Sequence, residues 1–133
     1  SIGPLIGLDV AAEDGETVID GEITVADLQT DVEITDGVVS GTLSLVDLSA
    51  LGYDDPGNFL VLQVSNENSV AGVTYTCTLT DSLGTDTIEL DEDGKVIIPV
   101  TSPDSIVTIT AEKEGYVTDE ITLDLSDLTL LEE

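Results

Sequence analysis

The feature that most constrains the fold is a set of short alternating segments separated by turn sequences. In "VTYTCTLT", residues 73–80, Val73, Tyr75, Cys77 and Leu79 lie on one side and four threonines on the other. This period of two predicts a half-buried β-strand. The only cysteine of the chain therefore falls at a position that a strand would bury.

Similar segments follow one another from residue 16 to the end. They include "GEITVADL", "DVEITDG", "GVVSGTLSLVDL", "NFLVLQVS", "DTIEL", "KVIIPV", "SIVTITAE" and "YVTDEITLDL". The separators, such as "GYDDPGN", "SNENS" and "TSPDS", are rich in Gly, Pro, Asn, Asp and Ser, which favour turns. Asp36-Gly37 is a typical hairpin turn. From Gly37 onward, seven such segments occupy about 95 residues, which predicts an all-β, immunoglobulin-like antiparallel β-sandwich.

The alternation also predicts which side chains form the core. Aromatic residues are scarce, with three tyrosines, one phenylalanine and no tryptophan, so we expect an aliphatic core. "NFLVLQVS" is apolar on both faces, as expected of a central strand. We predict burial for the apolar members of the alternating strands, which are Val73, Tyr75, Leu79, Ile98, Ile109, Ile121 and Leu123.

The chain is predicted to have two regions. Residues 1–36 form an N-terminal arm with added strands, and residues 37–133 form the immunoglobulin-like domain. Within the first 15 residues, Pro4 and several glycines argue against a helix and no period is visible, so this segment is expected to be extended.

The apolar side chains of the arm are irregularly spaced, so the arm is not expected to bury them within its own element. Exposed apolar groups of this kind often mark a contact with a partner. We therefore predict that the arm binds another subunit through Ile2, Leu5, Ile6 and Leu8. The alternative is a loose terminus.

The acidic composition excludes several classes of partner. Asp and Glu number 29 and Lys and Arg only two, for a formal charge of −27. Such a chain repels nucleic acid and anionic lipid, so neither is expected as a partner. No apolar run is long enough for a membrane span, and no basic segment followed by an apolar one predicts a signal peptide.

The catalytic inventory is poor. The chain contains no histidine, so Cys77 lacks an imidazole base. Its expected burial would raise the pKa of the thiol and make it inert. A glycosidase would need more than the abundant carboxylates, because it also needs sugar-stacking aromatics and positioned donors. We therefore expect no enzyme activity and no cofactor.

One acidic segment could be mistaken for a calcium site. In "ELDEDGKVIIPV", Glu89, Asp91 and Asp93 alternate before Gly94, as at the start of a calcium loop. The twelfth position is Val100, whereas an EF-hand requires a bidentate Glu there. The segment equally matches a hairpin with an Asp-Gly turn, which we predict. A loose Ca²⁺ or Na⁺ site here or in "GYDDPGN" is the alternative.

The charge itself is compatible with three interpretations. It could be a solvated surface suited to a salty medium. It could belong to a DNA mimic, although the carboxylates are spread over turns and strands alike rather than spaced along one face. It could also be the surface of an assembly that must not bind its neighbours or nucleic acid.

Two stretches carry a resemblance to known families. "ELDEDGKVIIPVTSPDSIVTITAEKEGYVTDEITLDL", residues 89–125, resembles bacterial and phage immunoglobulin-like or Cna-B-like modules. In those modules an acidic "DG" hairpin precedes a strand, and a "TVTAxKEGY" strand precedes the last one. Over residues 37–130, "GVVSGTLSLV", "GNFLVLQVS" and the closing "LSDLTL" follow a layout similar to the small accessory, or head decoration, proteins of tailed bacteriophages.

The resemblance implies a non-enzymatic structural protein of the virion, bound to the outer capsid surface. Its partner would be the major capsid protein or copies of itself, within a larger homo- or hetero-oligomeric assembly. The alternative is a cell-surface or adhesin-type immunoglobulin-like binding module at the extracellular surface. An enzyme is the third interpretation, and the missing histidine argues against it.

Overall fold

A computed structural model describes residues 5–13, 15, 18–19, 21–25, 32–43, 45–46, 57–66, 72–100 and 104–130, and every regular element in these ranges is a β-strand. The first seven strands are β1 (Leu5–Gly7), β2 (Val10–Ala12), β3 (Val18–Ile19), β4 (Gly21–Val25), β5 (Val32–Thr35), β6 (Val38–Leu43) and β7 (Leu45–Val46). The remaining strands are β8 (Gly57–Asn66), β9 (Thr74–Asp81), β10 (Gly84–Ile88), β11 (Lys95–Pro99), β12 (Ile106–Glu112), β13 (Tyr116–Val117) and β14 (Asp119–Leu130).

The strands form two large sheets and a small one. The five-stranded sheet has the order β1-β4-β8-β11, with β7 also paired to β8. The six-stranded sheet has the order β10-β9-β12-β14-β6-β5, and the three-stranded sheet is β13-β2-β3. The predicted all-β sandwich is confirmed. Within the described pairings β14 and β6 run parallel, so the six-stranded sheet is mixed rather than purely antiparallel.

A single aliphatic cluster joins the inner faces of the sheets. It includes Ile23 and Leu62 from the five-stranded sheet and Cys77, Ile109 and Leu123 from the six-stranded sheet. Burial of this apolar area is the main favourable term in folding. Strand β8 has a second apolar face, where buried Phe59 and Val61 pack with Ile97.

The core prediction is largely correct. Four of the predicted core residues are buried, namely Leu79, Ile98, Ile109 and Leu123. Three others, Val73, Tyr75 and Ile121, are only partly buried and pack against the margin of the cluster. Val73 lies just before β9 and Tyr75 is its second residue, so both lie at one end of this strand, whereas Ile121 lies opposite the fully buried Ile109.

The described part of residues 1–36 joins the sandwich as added strands. Leu8, Val10, Ile23 and Val32 belong to the same cluster as the rest of the core. The hairpin of β5 and β6 also crosses the predicted boundary at residues 36 and 37. The two predicted regions therefore share their sheets and their core.

The Asp36-Gly37 hairpin was predicted correctly. Both residues adopt positive φ angles, 51° at Asp36 and 81° at Gly37, as a two-residue type I′ turn requires. Thr35 and Val38 pair directly on either side of this turn. The local sequence alone is sufficient to select this connection.

The hairpin predicted around "DEDG" is wrong. Strand β10 pairs with β9 in the six-stranded sheet, whereas β11 pairs with β8 in the five-stranded sheet. The acidic turn therefore carries the chain from one sheet to the other. It is attached to β8, because the Val64 amide donates to the Gly94 carbonyl at 2.8 Å. A Cβ at Gly94 would overlap the Val64 carbonyl oxygen.

Strand β14 lies between β12 and β6 and contains a bulge. The strand pairs with β12 up to Asp124, and its register against β6 shifts between Asp124 and Asp127. The Ser126 amide donates to the Asp124 carboxylate at 2.9 Å, which lowers the pKa of that carboxyl. Before the bulge the odd-numbered Leu123 and Leu125 are buried, and after it the even-numbered Leu128 is buried. Within the described residues, nine strands correspond to the seven segments predicted from Gly37 onward, because "GVVSGTLSLV" and "YVTDEITLDL" each hold two.

Candidate interaction surfaces

The N-terminal segment lies against its own domain. Strand β1 pairs with β4, with Leu5 opposite Thr24 and Ile6 opposite Ile23. Leu8 is fully buried in the main cluster, contrary to the prediction that it contacts another subunit. Leu8 therefore stabilises the sandwich itself.

The other predicted partner residues of the arm are not tested by the structure. Ile2 lies outside the described residues, and Leu5 and Ile6 are described only through their backbone pairing. Their contact with another subunit stays a prediction. The burial of Leu8 was missed because no local period marks it, and its neighbour β4 lies elsewhere in the sequence.

Cys77 lies in the middle of β9 and is buried, as predicted. Its neighbours across the sheet are Ile88 on β10 and Ile109 on β12. Burial in these surroundings raises the pKa of the thiol to about 12. Because the thiolate is the reactive form, Cys77 acts as a small apolar side chain.

The acidic turn after β10 uses its carboxylate to shape the backbone. One oxygen of Asp91 accepts hydrogen bonds from the amides of Asp93 and Lys95, both at 2.9 Å. Among the described residues, no group of three or more acidic or thiol side chains is arranged to hold a metal ion. The other acidic turn, "GYDDPGN", lies largely outside the described residues.

The outer face of the six-stranded sheet carries rows of threonine. Thr87 on β10 lies opposite Thr78 on β9, Thr78 opposite Thr108 on β12, and Thr108 opposite Thr122 on β14. Residues directly opposite each other project from the same face of a sheet. Since Cys77 and Ile109 point into the core, this row points outward.

Neighbouring rows extend the same surface. The hydroxyls of Thr80 and Thr85 are 2.9 Å apart, and Thr76 lies opposite Thr110. Ile106, opposite Thr80, is 40% exposed. We define the threonine face by these outward residues, which are Thr74, Thr76, Thr78, Thr80, Thr85, Thr87, Ile106, Thr108, Thr110 and Thr122.

The threonine face is uncharged, although the chain has a formal charge of −27. Three carboxylates nevertheless project from the same side of the sheet, directly opposite residues of the face, with Glu120 opposite Thr110 and Asp124 opposite Ile106. Glu112 lies at the end of β12, opposite Thr74, and Glu120 and Asp124 flank Thr122 on β14. Sequence alternation alone indicated threonines on one side of β9. Only the register of four strands shows that they form one continuous surface.

The tip of the β9–β10 hairpin projects next to this face. Leu83 is 93% exposed, and its amide donates to the Asp81 carboxylate at 2.8 Å. Together with Ile106, it places exposed apolar groups at one end of the threonine face. An uncharged surface with exposed apolar side chains at its end is suited to contact with another macromolecule.

A shallow cleft of about 360 Å³ lies at the opposite end of the sandwich. It is lined by Gly72, Thr74, Glu112, Lys113, Glu114 and Thr118. The Lys113 ammonium stands 5.9 Å from the centroid of the Tyr116 ring, a cation–π distance. Two glutamates against one lysine give the lining a net negative charge, which disfavours an anionic ligand.

Within the described ranges, no helix is long and apolar enough to cross a membrane. No known protein family, curated protein or solved structure matches this chain.

Proposed function

We propose that this chain is a structural virion protein that decorates or cements the outer capsid of a tailed phage. Its partner is the major capsid protein or further copies of itself. The chain has no catalytic activity in this proposal. The resemblance of residues 37–130 to head decoration proteins suggests the role, and the distribution of charge over the sandwich is the observation that supports it.

The distribution of charge affects the free-energy cost of binding a partner. Burying a charged group against a partner requires its desolvation, which is expensive unless an opposite charge compensates it. The threonine face reduces this cost because its own side chains are neutral, and the carboxylates on the same side of the sheet are Glu112 and those of β14. The remaining surface can stay solvated, where its carboxylates repel nucleic acid and neighbouring proteins. This division between a neutral face and a charged surface favours a one-sided attachment to a capsid.

Fractionation of the phage lysate is the direct test. We expect the chain to co-sediment with intact virions and to appear in electron micrographs as a density repeated on the outer capsid lattice. Recovery of the chain in the cell-envelope fraction, with none on virions, would support the adhesin-type alternative and contradict the proposal.

Charge variants test the role of the threonine face. Thr87 and Thr122 are exposed on the face, and Thr129 is exposed on β14 outside it. Replacing both Thr87 and Thr122 by Glu should reduce capsid occupancy by about tenfold or more, because two carboxylates would be desolvated on binding. Thr129→Glu is the control and should bind normally. Circular dichroism must show that each variant is folded.

A further inference from the structure

Strand β10 lies at one end of the described order of the six-stranded sheet. In the part of the chain that the structure describes, β10 pairs only with β9, and residues 84–87 are exposed. An edge strand presents unpaired N–H and C=O groups to any extended segment that approaches it. Strand β11, at an edge of the five-stranded sheet, carries Lys95 and Pro99, which discourage such pairing. Strand β10 contains neither residue type.

Asp86 is the only charged residue of β10. It lies opposite Leu79, whose side chain enters the core, so Asp86 is on the inner side of the sheet. Asp86 is nevertheless exposed, and only Ile88 of this strand packs against the core cluster. A segment added beside β10 would therefore meet a solvated carboxylate in the middle of the strand.

This carboxylate selects the partner. Two copies of β10 paired antiparallel over all five residues would place one Asp86 directly opposite the other, and like charges in that position are destabilising. The formal charge of −27 on each copy adds to the repulsion. A strand with Lys or Arg at this position would instead form a cross-strand ion pair.

We propose that β10 is a strand-addition site for an extended segment of another protein that carries Lys or Arg opposite Asp86. The residues flanking that cation would face Thr85 and Thr87 on the outer side. Thr or another β-branched residue there would extend the threonine face by one strand, as Thr85 already does beside Thr80. The main-chain hydrogen bonds would supply affinity, and the ion pair would supply selectivity.

This site goes beyond the proposed capsid role, and its test requires no virion. A negative result with peptides would leave capsid attachment open, and absence of the chain from virions would not affect the peptide result. The two proposals can therefore be judged separately.

The experiment measures binding of labelled peptides to the full chain by fluorescence anisotropy. The probe contains Val-Thr-Lys-Thr-Val, a palindrome that places Lys opposite Asp86 in either direction. The control peptide carries Asp in place of Lys. We expect the Lys peptide to bind wild-type protein about tenfold more tightly than the Asp peptide. Asp86→Lys should reverse this preference, and Asp86→Asn should reduce it.

A matched variant separates local from general charge effects. Asp127 is exposed on β14, three strands away from β10 in the sheet. Asp127→Lys changes the net charge of the chain by the same amount as Asp86→Lys, but at a distance from β10. It should keep the preference for the Lys peptide. Equal effects of Asp86→Lys and Asp127→Lys would overturn the proposal, because they would show attraction to net charge alone.

Hydrogen exchange then locates the bound peptide. The amides of β10 should exchange more slowly with peptide present, while those of the other edge strand, β5, should be unchanged. Absence of binding at millimolar peptide would overturn the proposal. So would bound peptide without protection of β10, or a dimer of the chain that protects β10 without peptide.

Discussion

The Leu8 amide donates to the carbonyl of Gly21 at 2.9 Å, and the Leu8 carbonyl lies so close to Gly21 that a Cβ there would overlap it. The Gly21 amide in turn donates to the Asp9 carboxylate at 3.1 Å. The N-terminal segment is thus attached to the start of β4 through a contact that requires glycine. This contact places the Leu8 side chain in the core.

Gly21→Ala should destabilise the sandwich. The added methyl group would meet a backbone atom, which cannot rotate away, so the two strands must separate. We expect the free energy of unfolding to fall by about 1–3 kcal/mol, the usual cost of overpacking. Urea denaturation measures this change. Gly7→Ala on β1 is the control, since a Cβ there would meet nothing within 4 Å. Equal midpoints for both variants would contradict the close contact.

Leu8→Ala tests whether the N-terminal segment belongs to the core. Leu8 is fully buried, so its truncation should cost about 2–5 kcal/mol of unfolding free energy. Leu83→Ala removes the same atoms from a side chain that is 93% exposed and should change stability by less than about 0.5 kcal/mol. If Leu8→Ala lowers the unfolding free energy as little as Leu83→Ala does, the Leu8 side chain is available to a partner, as the sequence suggested.

Cys77 should make stability depend on pH in the alkaline range. Its pKa is 9.0 in the ordinary exposed state and about 12 in the folded protein, because burial disfavours the thiolate. This contribution to stability is complete below pH 9.0 and is lost as the pH rises toward 12. We expect the unfolding free energy to fall by up to about 1.4 kcal/mol per pH unit in this window.

The variant Cys77→Ala provides the comparison for that slope. It should be less stable overall, but its unfolding free energy should fall less steeply between pH 9 and 11. In the native wild type at pH 8, a thiol reagent should label Cys77 only at the rate of unfolding. Rapid native labelling, or identical slopes for both proteins, would show that the thiol is accessible.

Screening of like charges should raise stability. At a formal charge of −27 the folded chain repels itself, and unfolding moves the charges apart. The Debye length falls from about 30 Å at 0.01 M salt to about 8 Å at 0.15 M, so the melting temperature should rise over this range. A flat or falling melting temperature would argue against net self-repulsion.

Three salts distinguish screening from ion binding. Sodium chloride and choline chloride should raise the melting temperature equally at equal ionic strength, because screening is not selective. An additional rise with calcium chloride at matched ionic strength would indicate a calcium site instead. The acidic turn at residues 91–93 would then be the first region to mutate.

The sequence by itself determined the local structure of this protein. Strict alternation at residues 73–80 was enough to predict a strand and the burial of Cys77, because successive side chains of a strand must point to opposite faces. Asp36-Gly37 was enough to predict a hairpin, because both residues accept positive φ. These features depend on neighbouring residues only, so they can be derived without the remainder of the fold.

The tertiary structure alone decided which strands meet. The pattern of "IELDEDGKVII" is the same whether its two strands pair together or join different sheets, and the attachment of Gly94 to β8 selects the second arrangement. Leu8 gave no periodic signal, yet its contact with Gly21 buries it. The threonine face likewise exists only because the registers of four strands align Thr87, Thr78, Thr108 and Thr122. Pairing depends on contacts between residues distant in sequence. Local alternation restricts the register to shifts that keep the apolar side chains facing the core, but it does not select the partner strand.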